Sequence, residues 1–522
     1  KAWTCNCRSG SGAYDGDTIF NFGQRPFQYQ SAGTNRPNAD YKSLNTANLP
    51  DPTIADGSQY FDTKLYTGNS STQSITGLNF SPDLVWVKSR SASGSHFLYD
   101  KVRGDSQAIF SDQTTAETDY SSGVGGLSLD ANGFSFLGYS IANVTNVTGV
   151  GWAWDAGSSN TTIAVGGLNS SVYDQSQTWS NLWTGTAGYG SFANLHNADT
   201  TDYVQTLNGT LTFSSAIAVT SIRIYANRYG ANATLSINGT DVTSQLAAAG
   251  SGLQWNTITG FTSVTSIAVT GADYSSNLIG LYAIELNGKL LVDSGVSVTN
   301  VPSIASTVRA NPTAGFSIVK FTNGNGTIGH GLNSPPELII TKDLDAVYTW
   351  SVYSKPTTRN AYLALNSTQA SSAVGGMWGS AEPTSAVFET TFYVAPVGDE
   401  LIAYCFAPVE GYSAFGSYEG NGSTDGPFVY TGFRPAFVMI KNADATSDWS
   451  ILDTARDPYN RAENYLLANS AGAEAFPGYF RDYLSNGFKI RDNGSGVNTN
   501  AQTYIYAAFA EHPFASNGGL AR

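Results

Sequence analysis

The chain has little charge and very few cysteines, histidines or methionines. Only 13 % of its 522 residues are Asp, Glu, Lys or Arg, and 26 basic against 40 acidic residues leave a formal net charge of −14. A nucleic-acid binder needs clustered cations to displace counterions from phosphates, so this balance argues against that class. Cys5, Cys7 and Cys405 are an odd number, too few for a disulfide framework and without the Cys or His partners of a structural zinc site. The four histidines, His96, His196, His330 and His512, are scattered along the chain. That spacing offers neither a metal pair nor a Ser-His-Asp arrangement, and no catalytic residue is expected. No apolar run approaches the roughly 20 residues of a membrane-spanning helix, so membrane insertion is not expected.

What is present is glycine, 55 residues of it, with abundant Ser, Thr and Asn and 12 % aromatic side chains. Such a composition suits short strands joined by tight turns. The predicted fold class is all-β, with several antiparallel β-sandwich domains of jelly-roll or lectin-like type in tandem.

One stretch recurs three times. Gly77-Leu-Asn-Phe-Ser-Pro-Asp-Leu-Val-Trp-Val-Lys88, Gly331-Leu-Asn-Ser-Pro-Pro-Glu-Leu-Ile-Ile-Thr-Lys342 and Gly432-Phe-Arg-Pro-Ala-Phe-Val-Met-Ile-Lys441 share an order of glycine, proline, apolar run and lysine. Repetition at this spacing marks one supersecondary unit used three times. The proline suits the first residue of a strand, where no ladder donor is needed. The run is apolar on both faces, as in a strand buried in a sandwich, and the lysine is expected to end it at the rim.

The units follow from these markers. Residues 1–55 read as the last strands of a preceding sandwich plus a Pro/Asn-rich linker. Residues 56–157, 306–410 and 411–522 are three repeats of six to eight short strands, and 158–305 is a different unit whose strands alternate cleanly, as in a jelly roll. The Gly-rich stretches 420–426 and 323–326 lack the strand-loop-helix setting of a phosphate loop and read as turns.

The binding candidates lie in the unit 158–305. Trp179, Trp183, Tyr189 and His196 occupy a long loop-rich stretch, and Arg223 and Arg228 flank a nearby strand. Flat aromatic faces stack on sugar rings, while arginine and histidine donors fix hydroxyl groups. No metal ligand set or cofactor is expected, although Asp174, Asp199 and Asp202 are placed in loops that could hold calcium.

Five blocks carry a resemblance. Ser81-Pro-Asp-Leu-Val-Trp-Val-Lys-Ser-Arg90, Leu98-Tyr-Asp-Lys-Val-Arg-Gly104, Gly151-Trp-Ala-Trp-Asp-Ala-Gly157, the stretch from Gly411 to Ser423 and that from Gly426 to Pro435 resemble a repeated domain of uncharacterised function. That domain is widespread in tail-fibre-like structural proteins of marine bacteriophages, including cyanophages and pelagiphages. Tyr504-Ile-Tyr-Ala-Ala-Phe-Ala-Glu-His-Pro-Phe514 resembles their usual carboxyl-terminal ending. Asn21-Phe-Gly-Gln-Arg-Pro-Phe27 resembles the last strand of a SPRY or concanavalin-like domain, and 158–305 is similar to galactose-binding-like jelly rolls. The resemblance implies an extracellular virion protein, a tail fibre or surface appendage that binds a host glycan or receptor for adsorption. Other virion tail proteins are implied as partners, and a homotrimer is expected. Two alternatives stand beside it, a polysaccharide depolymerase and a secreted bacterial glycan-binding adhesin.

Overall fold

The three signature segments become strands buried from end to end: Leu84–Ser89, Leu338–Asp343 and the second half of Phe433–Asn442. A computed structural model describes residues 53–121, 124–166, 173–230, 232–272, 277–296, 298 and 301–513. The strands expected within residues 1–55, and Cys5 and Cys7 with them, fall almost wholly outside the described residues. Among the described residues the chain is all-β, and its helical segments are short 3-10 turns.

Each repeat has an inner and an outer antiparallel sheet. In the first, the inner order is Phe61–Thr67, Thr148–Trp154, Leu84–Ser89, Phe97–Asp100, and the outer order is Gln73–Thr76, Gly133–Phe136, Leu127–Asp130. The second repeat places Phe316–Thr322, Glu400–Phe406, Leu338–Asp343, Ser351–Ser354 and Ala361–Ala364 side by side, with Gly326–Gly329 and Val387–Thr390 outside. In the third, Ser413–Glu419, Thr503–Pro513, Phe433–Asn442, Ser450–Asp453 and Leu466–Leu467 form the inner sheet. Its outer sheet is Phe428–Tyr430, Gly487–Ile490 and Arg481–Leu484. The signature glycines Gly77, Gly331 and Gly432 all have positive φ (95°, 72° and 85°), a conformation that costs glycine little and other residues much.

The apolar character of the signature on both faces has a cause that one sandwich would not supply. Val85 and Val87 pack under the first repeat's own outer sheet. Leu84 and Trp86 point the other way, into a core shared with Leu338, Ile340 and Phe406 of the second repeat and Phe437, Met439 and Phe509 of the third. Phe61 lies 5.1 Å from Phe509 and 5.7 Å from Phe437, and Phe406 lies 5.7 Å from Phe509, ring centre to ring centre. Such aromatic pairs contribute about 0.5–1.5 kcal/mol each beyond burial. At the centre, side chains of all three repeats enclose a wholly apolar cavity of about 30 Å³. The repeats therefore form one body around a common axis.

The cross-strand registers make Leu84, Leu338 and Phe437 equivalent, opposite Trp154, Phe406 and Phe509. His96, Trp350 and Trp449 are equivalent in the same way. Trp350 Nε1 donates to Phe110 O of the first repeat at 2.8 Å, Trp449 Nε1 to Ala364 O of the second at 2.9 Å, and His96 Nε2 lies 3.0 Å from Leu467 O of the third. Phe110, Ala364 and Leu467 are themselves equivalent, so these three bonds form a closed cycle. Backbone bonds repeat it: Tyr348 N to Thr114 O, Ser447 N to Thr368 O and Gly94 N to Ala471 O, at 2.8–2.9 Å. So do Glu117 N to Leu344 O, Ser371 N to Ala443 O and Glu474 N to Arg90 O, at 2.7–3.0 Å.

The signature lysines belong to this interface. Lys88, Lys342 and Lys441 are buried, not at the rim as expected. Lys88 Nζ donates to Ser89 O (3.0 Å) and to Ala471 O of the third repeat (3.3 Å), and Lys441 Nζ to Asn442 O (2.6 Å) and to Thr368 O of the second (3.4 Å). Charge in the sequence suggests exposure; each ammonium instead caps buried carbonyls, those of Lys88 and Lys441 reaching across to a second repeat and that of Lys342 staying with Asp343 O and Ala346 O of its own. Pro435 also departs from the expected strand start. It lies inside Phe433–Asn442, with a shift of register on both sides, as a residue without a ladder donor requires.

The unit expected over 158–305 divides. Thr161–Ile163 pairs with Ser306–Asn311 as an edge of the second repeat's inner sheet, and the insert proper leaves and re-enters where Gly166 N donates to Pro302 O at 2.9 Å. The insert's strands, Trp183–Tyr189, Val204–Ala218, Ile222–Arg228, Thr234–Ile237, Gln254–Ile258, Ser263–Thr270 and Ile279–Leu286, enclose a separate apolar core that includes Ile224, Leu235, Ile267 and Ile284.

Candidate functional site

Alternation along Ile222–Arg228 sends Ile222, Ile224 and Ala226 into the insert's core and leaves Arg223, Tyr225 and Asn227 on the other face. Tyr225 pairs across the sheet with Trp255 on one side and Ala283 on the other. The next residue, Ala226, pairs with Leu281, so Tyr282 is the extra residue of a bulge. Bulges commonly re-aim a side chain, and here the ring of Tyr282 joins an aromatic row. Tyr203 stacks on it at 5.0 Å, Tyr189 stacks on Tyr203 at 5.4 Å, and Tyr225 meets it edge-on at 5.9 Å. Trp255 follows Tyr225 at 4.9 Å, with the Arg223 guanidinium 4.6 Å over its ring and held by Glu285 at 3.2 Å.

The open end of the row is a platform. Tyr189 is 61 % exposed and Tyr229 47 %. Rings of Tyr229 and Tyr282 flank Gly280, each about 3.5 Å from where a β-carbon would stand. Gly280 is paired across the sheet with Gln205 and Asn227. Burial, then the hydrogen bond and charge of Tyr229, push the Tyr282 phenol up to about 12, so it remains a neutral hydrogen-bonding group at any physiological pH. The phenols of Tyr189, Tyr203, Tyr229 and Tyr282 provide hydrogen bonds and flat apolar faces together.

Only part of the predicted constellation meets here. Tyr189 is on the platform and Arg223 at the far end of the row. Arg228 Nε donates to Gly230 O at 2.9 Å. Trp179, Trp183 and His196 are turned inward. Trp179 is 1 % exposed, donates from Nε1 to Asp174 O at 2.8 Å and meets Phe213 edge-on. Trp183 Nε1 donates to His196 Nε2 at 3.0 Å, and the other ring nitrogen of His196 is 2.8 Å from Leu291 O. Because Nε2 accepts, Nδ1 carries the proton, and burial holds this imidazole below its usual pKa. The three residues expected to stack on and bind a ligand instead pin the insert's loops to its core.

Tyr203, Tyr229, Trp255 and Tyr282 were missed by the sequence reading. Alternation through Ser221-Ile-Arg-Ile-Tyr225 signals the outward face, but the approach of Tyr203 to Tyr282 depends on a register and a bulge that spacing does not show. Asp174, Asp199 and Asp202 serve their own loops, accepting from Ser176 N, Thr201 N and Asn197 Nδ2 respectively. Among the described residues no three His, Cys, Asp or Glu side chains are grouped as a metal ion would need.

No curated protein matches the sequence. A family model described as a domain of unknown function, DUF7483, matches residues 56–288 and 203–513, the two matches overlapping within the insert. The matched stretches run from the first repeat to the end of the third, and the chain belongs to the DUF7483 family.

Proposed function

We propose that the chain is a structural protein of a virion, a tail fibre or related appendage, that binds glycans of the host cell surface during adsorption. Its mechanism is binding without chemistry. The observation that carries this reading is the tyrosine platform around Gly280, with Tyr189 and Tyr229 exposed and Gln205 and Asn227 on the strands paired with Gly280. Aromatic faces cover the apolar faces of sugar rings, and phenol and amide groups reach their hydroxyls. The sequence resemblance to tail-fibre-like proteins of marine bacteriophages supports the setting.

A body of three repeats closed into a cycle suits an appendage exposed to the medium, since it leaves the inner sheets covered. Weak sugar contacts multiplied over a homotrimer, alongside other tail proteins, give avidity through effective concentration. The test is adsorption of the fluorescently labelled chain to whole marine bacterial cells. Tyr189→Ala with Tyr229→Ala is expected to reduce retention by about tenfold or more, equal to about 1.4 kcal/mol. Undiminished retention by the double variant would remove the platform from the site.

A further inference from the structure

The registers align the three outer sheets position by position. The first repeat presents Ser74 and Thr76 opposite Ser135 and Gly133, all small or polar. The second presents Thr327 and Gly329 opposite Glu389 and Val387, and this strand is covered by Ser303 and Ile304, whose backbone nitrogens donate to Thr327 O. The third presents Phe428 and Tyr430 opposite Lys489 and Gly487. Val429 between them is buried, so alternation turns both rings outward, 45 % and 67 % exposed.

Around these rings the surface is built, not bare. A β-carbon at Gly487 would stand 2.1 Å from Val429 O, which requires glycine there and leaves a flat floor beside Tyr430. Lys489 is held by Asp425 at 2.9 Å, and Arg491 lies 3.5 Å from Asp425 and 3.4 Å from Asp482. Beyond them opens a depression of about 560 Å³, at the edge of which the Arg461 guanidinium lies 3.7 Å over the ring of Phe480.

We propose that this outer face of the third repeat is a second sugar site, one that takes a short neutral oligosaccharide; the proposal rests on the reading of the chain as a glycan binder. Phe428 and Tyr430 stand about 7 Å apart along the strand, and Arg491 lies about 13 Å along from the level of Tyr430. That length accommodates successive pyranose rings, the first two over the aromatic rings and the next at the depression. Lysine, arginine and aspartate locked in ion pairs offer fixed donors and acceptors side by side, the pattern that adjacent hydroxyl groups match. Arg461, Lys489 and Arg491 are outnumbered by Asp425, Glu463, Asp482 and Asp492, and the chain carries −14 overall, so an anionic sugar is disfavoured.

The experiment is retention of the full chain on an array of short neutral gluco-, manno- and galacto-oligosaccharides and their uronic-acid counterparts. Wild type is expected to bind a subset of the neutral sugars. Phe428→Ala with Tyr430→Ala is expected to bind that subset about tenfold or more weakly, with an unchanged melting curve, while Tyr189→Ala with Tyr229→Ala keeps part of the signal. Wild-type retention by the Phe428/Tyr430 variant, no retention on any neutral sugar, or preference for the uronic acids overturns the proposal. Loss confined to the Tyr189/Tyr229 variant overturns this site and leaves the platform on the insert; loss confined to the Phe428/Tyr430 variant does the reverse.

Discussion

The Nε2 of His96 lies 3.0 Å from the carbonyl oxygen of Leu467, a bond that joins the first repeat to the third across 371 residues. The other ring nitrogen, Nδ1, accepts from Trp86 Nε1 at 2.8 Å. Nδ1 is therefore unprotonated and Nε2 is the donor, so a single neutral tautomer serves both bonds. In the other two repeats a tryptophan indole occupies the same place and makes the same interrepeat bond. The cycle is closed by a histidine where its other two links are tryptophans.

Removing that link is expected to open the body at the junction of first and third repeats. His96→Ala leaves Trp86 Nε1 and Leu467 O unpaired and a cavity in their place, a loss of about 2–4 kcal/mol. Trp350→Phe retains most of the volume but loses the donor to Phe110 O, and about 1–2 kcal/mol is expected. Chemical denaturation of each variant against wild type measures both.

Acid is expected to weaken the fold through its buried histidines. Burial holds His96 well below its usual value, His196 below it, and His330 at about 4. Between those values and 6.5 the unfolded chain binds protons that the folded chain does not, so stability falls as pH drops below 6.5. At pH 5 a histidine held far below that pH costs about 2 kcal/mol. Asp83, pushed up to about 7 by burial against the pull of Arg309, and Asp343, raised by burial, work in the opposite direction but are two groups against three. Melting temperature should decline from pH 7 to pH 5, and His330→Gln should reduce the slope.

The buried lysines predict a rise on the alkaline side. Burial lowers Lys88, Lys342 and Lys441 to about 8 each. From pH 8 towards 10 the unfolded chain keeps ammonium protons that the folded chain releases, so stability increases with pH. Above about 10 the gain reverses, because buried tyrosines such as Tyr404 and Tyr412 are held well above their ordinary value and ionise only on unfolding. Melting followed from pH 7.5 to 11 should show a maximum, and Lys441→Met should lower its rise.

The insert is expected to be removable. Its ends meet where Gly166 N bonds Pro302 O, and among the described residues its core shares no side chain with the central cluster. Replacing residues 168–300 by a short Gly-Ser turn should leave the three-repeat body folded, with a β-type circular dichroism spectrum and a single melting transition near that of wild type. Aggregation or loss of the transition would show that the body needs the insert.

The repeats, their strand character and the both-faced burial of the signature were legible, because proline, apolar run and turn glycine each act locally. The cycle was not, since it depends on how three inner faces meet, and Leu84 and Leu338 carry no sign that they share a core. The lysines mislead for the same reason: a charge after an apolar run looks like a rim until packing supplies buried carbonyls, from a second repeat in the case of Lys88 and Lys441. Among the binding candidates, Trp179 and Trp183 sit in a glycine- and serine-rich stretch that reads as an open loop, while a short 3-10 turn folds Trp179 inward and the strand Trp183–Tyr189 starts with Trp183 buried. Arg223 falls on the outward face that the alternation of Ile222–Arg228 marks, whereas Tyr189, expected in a loop, is the exposed last residue of Trp183–Tyr189.

The most direct test of glycan binding without cleavage is incubation of the purified chain with immobilised bacterial surface polysaccharides, with both retention and polymer length recorded. Wild type should be retained on at least one polymer, retention should drop about tenfold or more in Tyr189→Ala with Tyr229→Ala, and polymer length should stay constant. Equal retention of wild type and variant, or progressive shortening of the polymer, would contradict it.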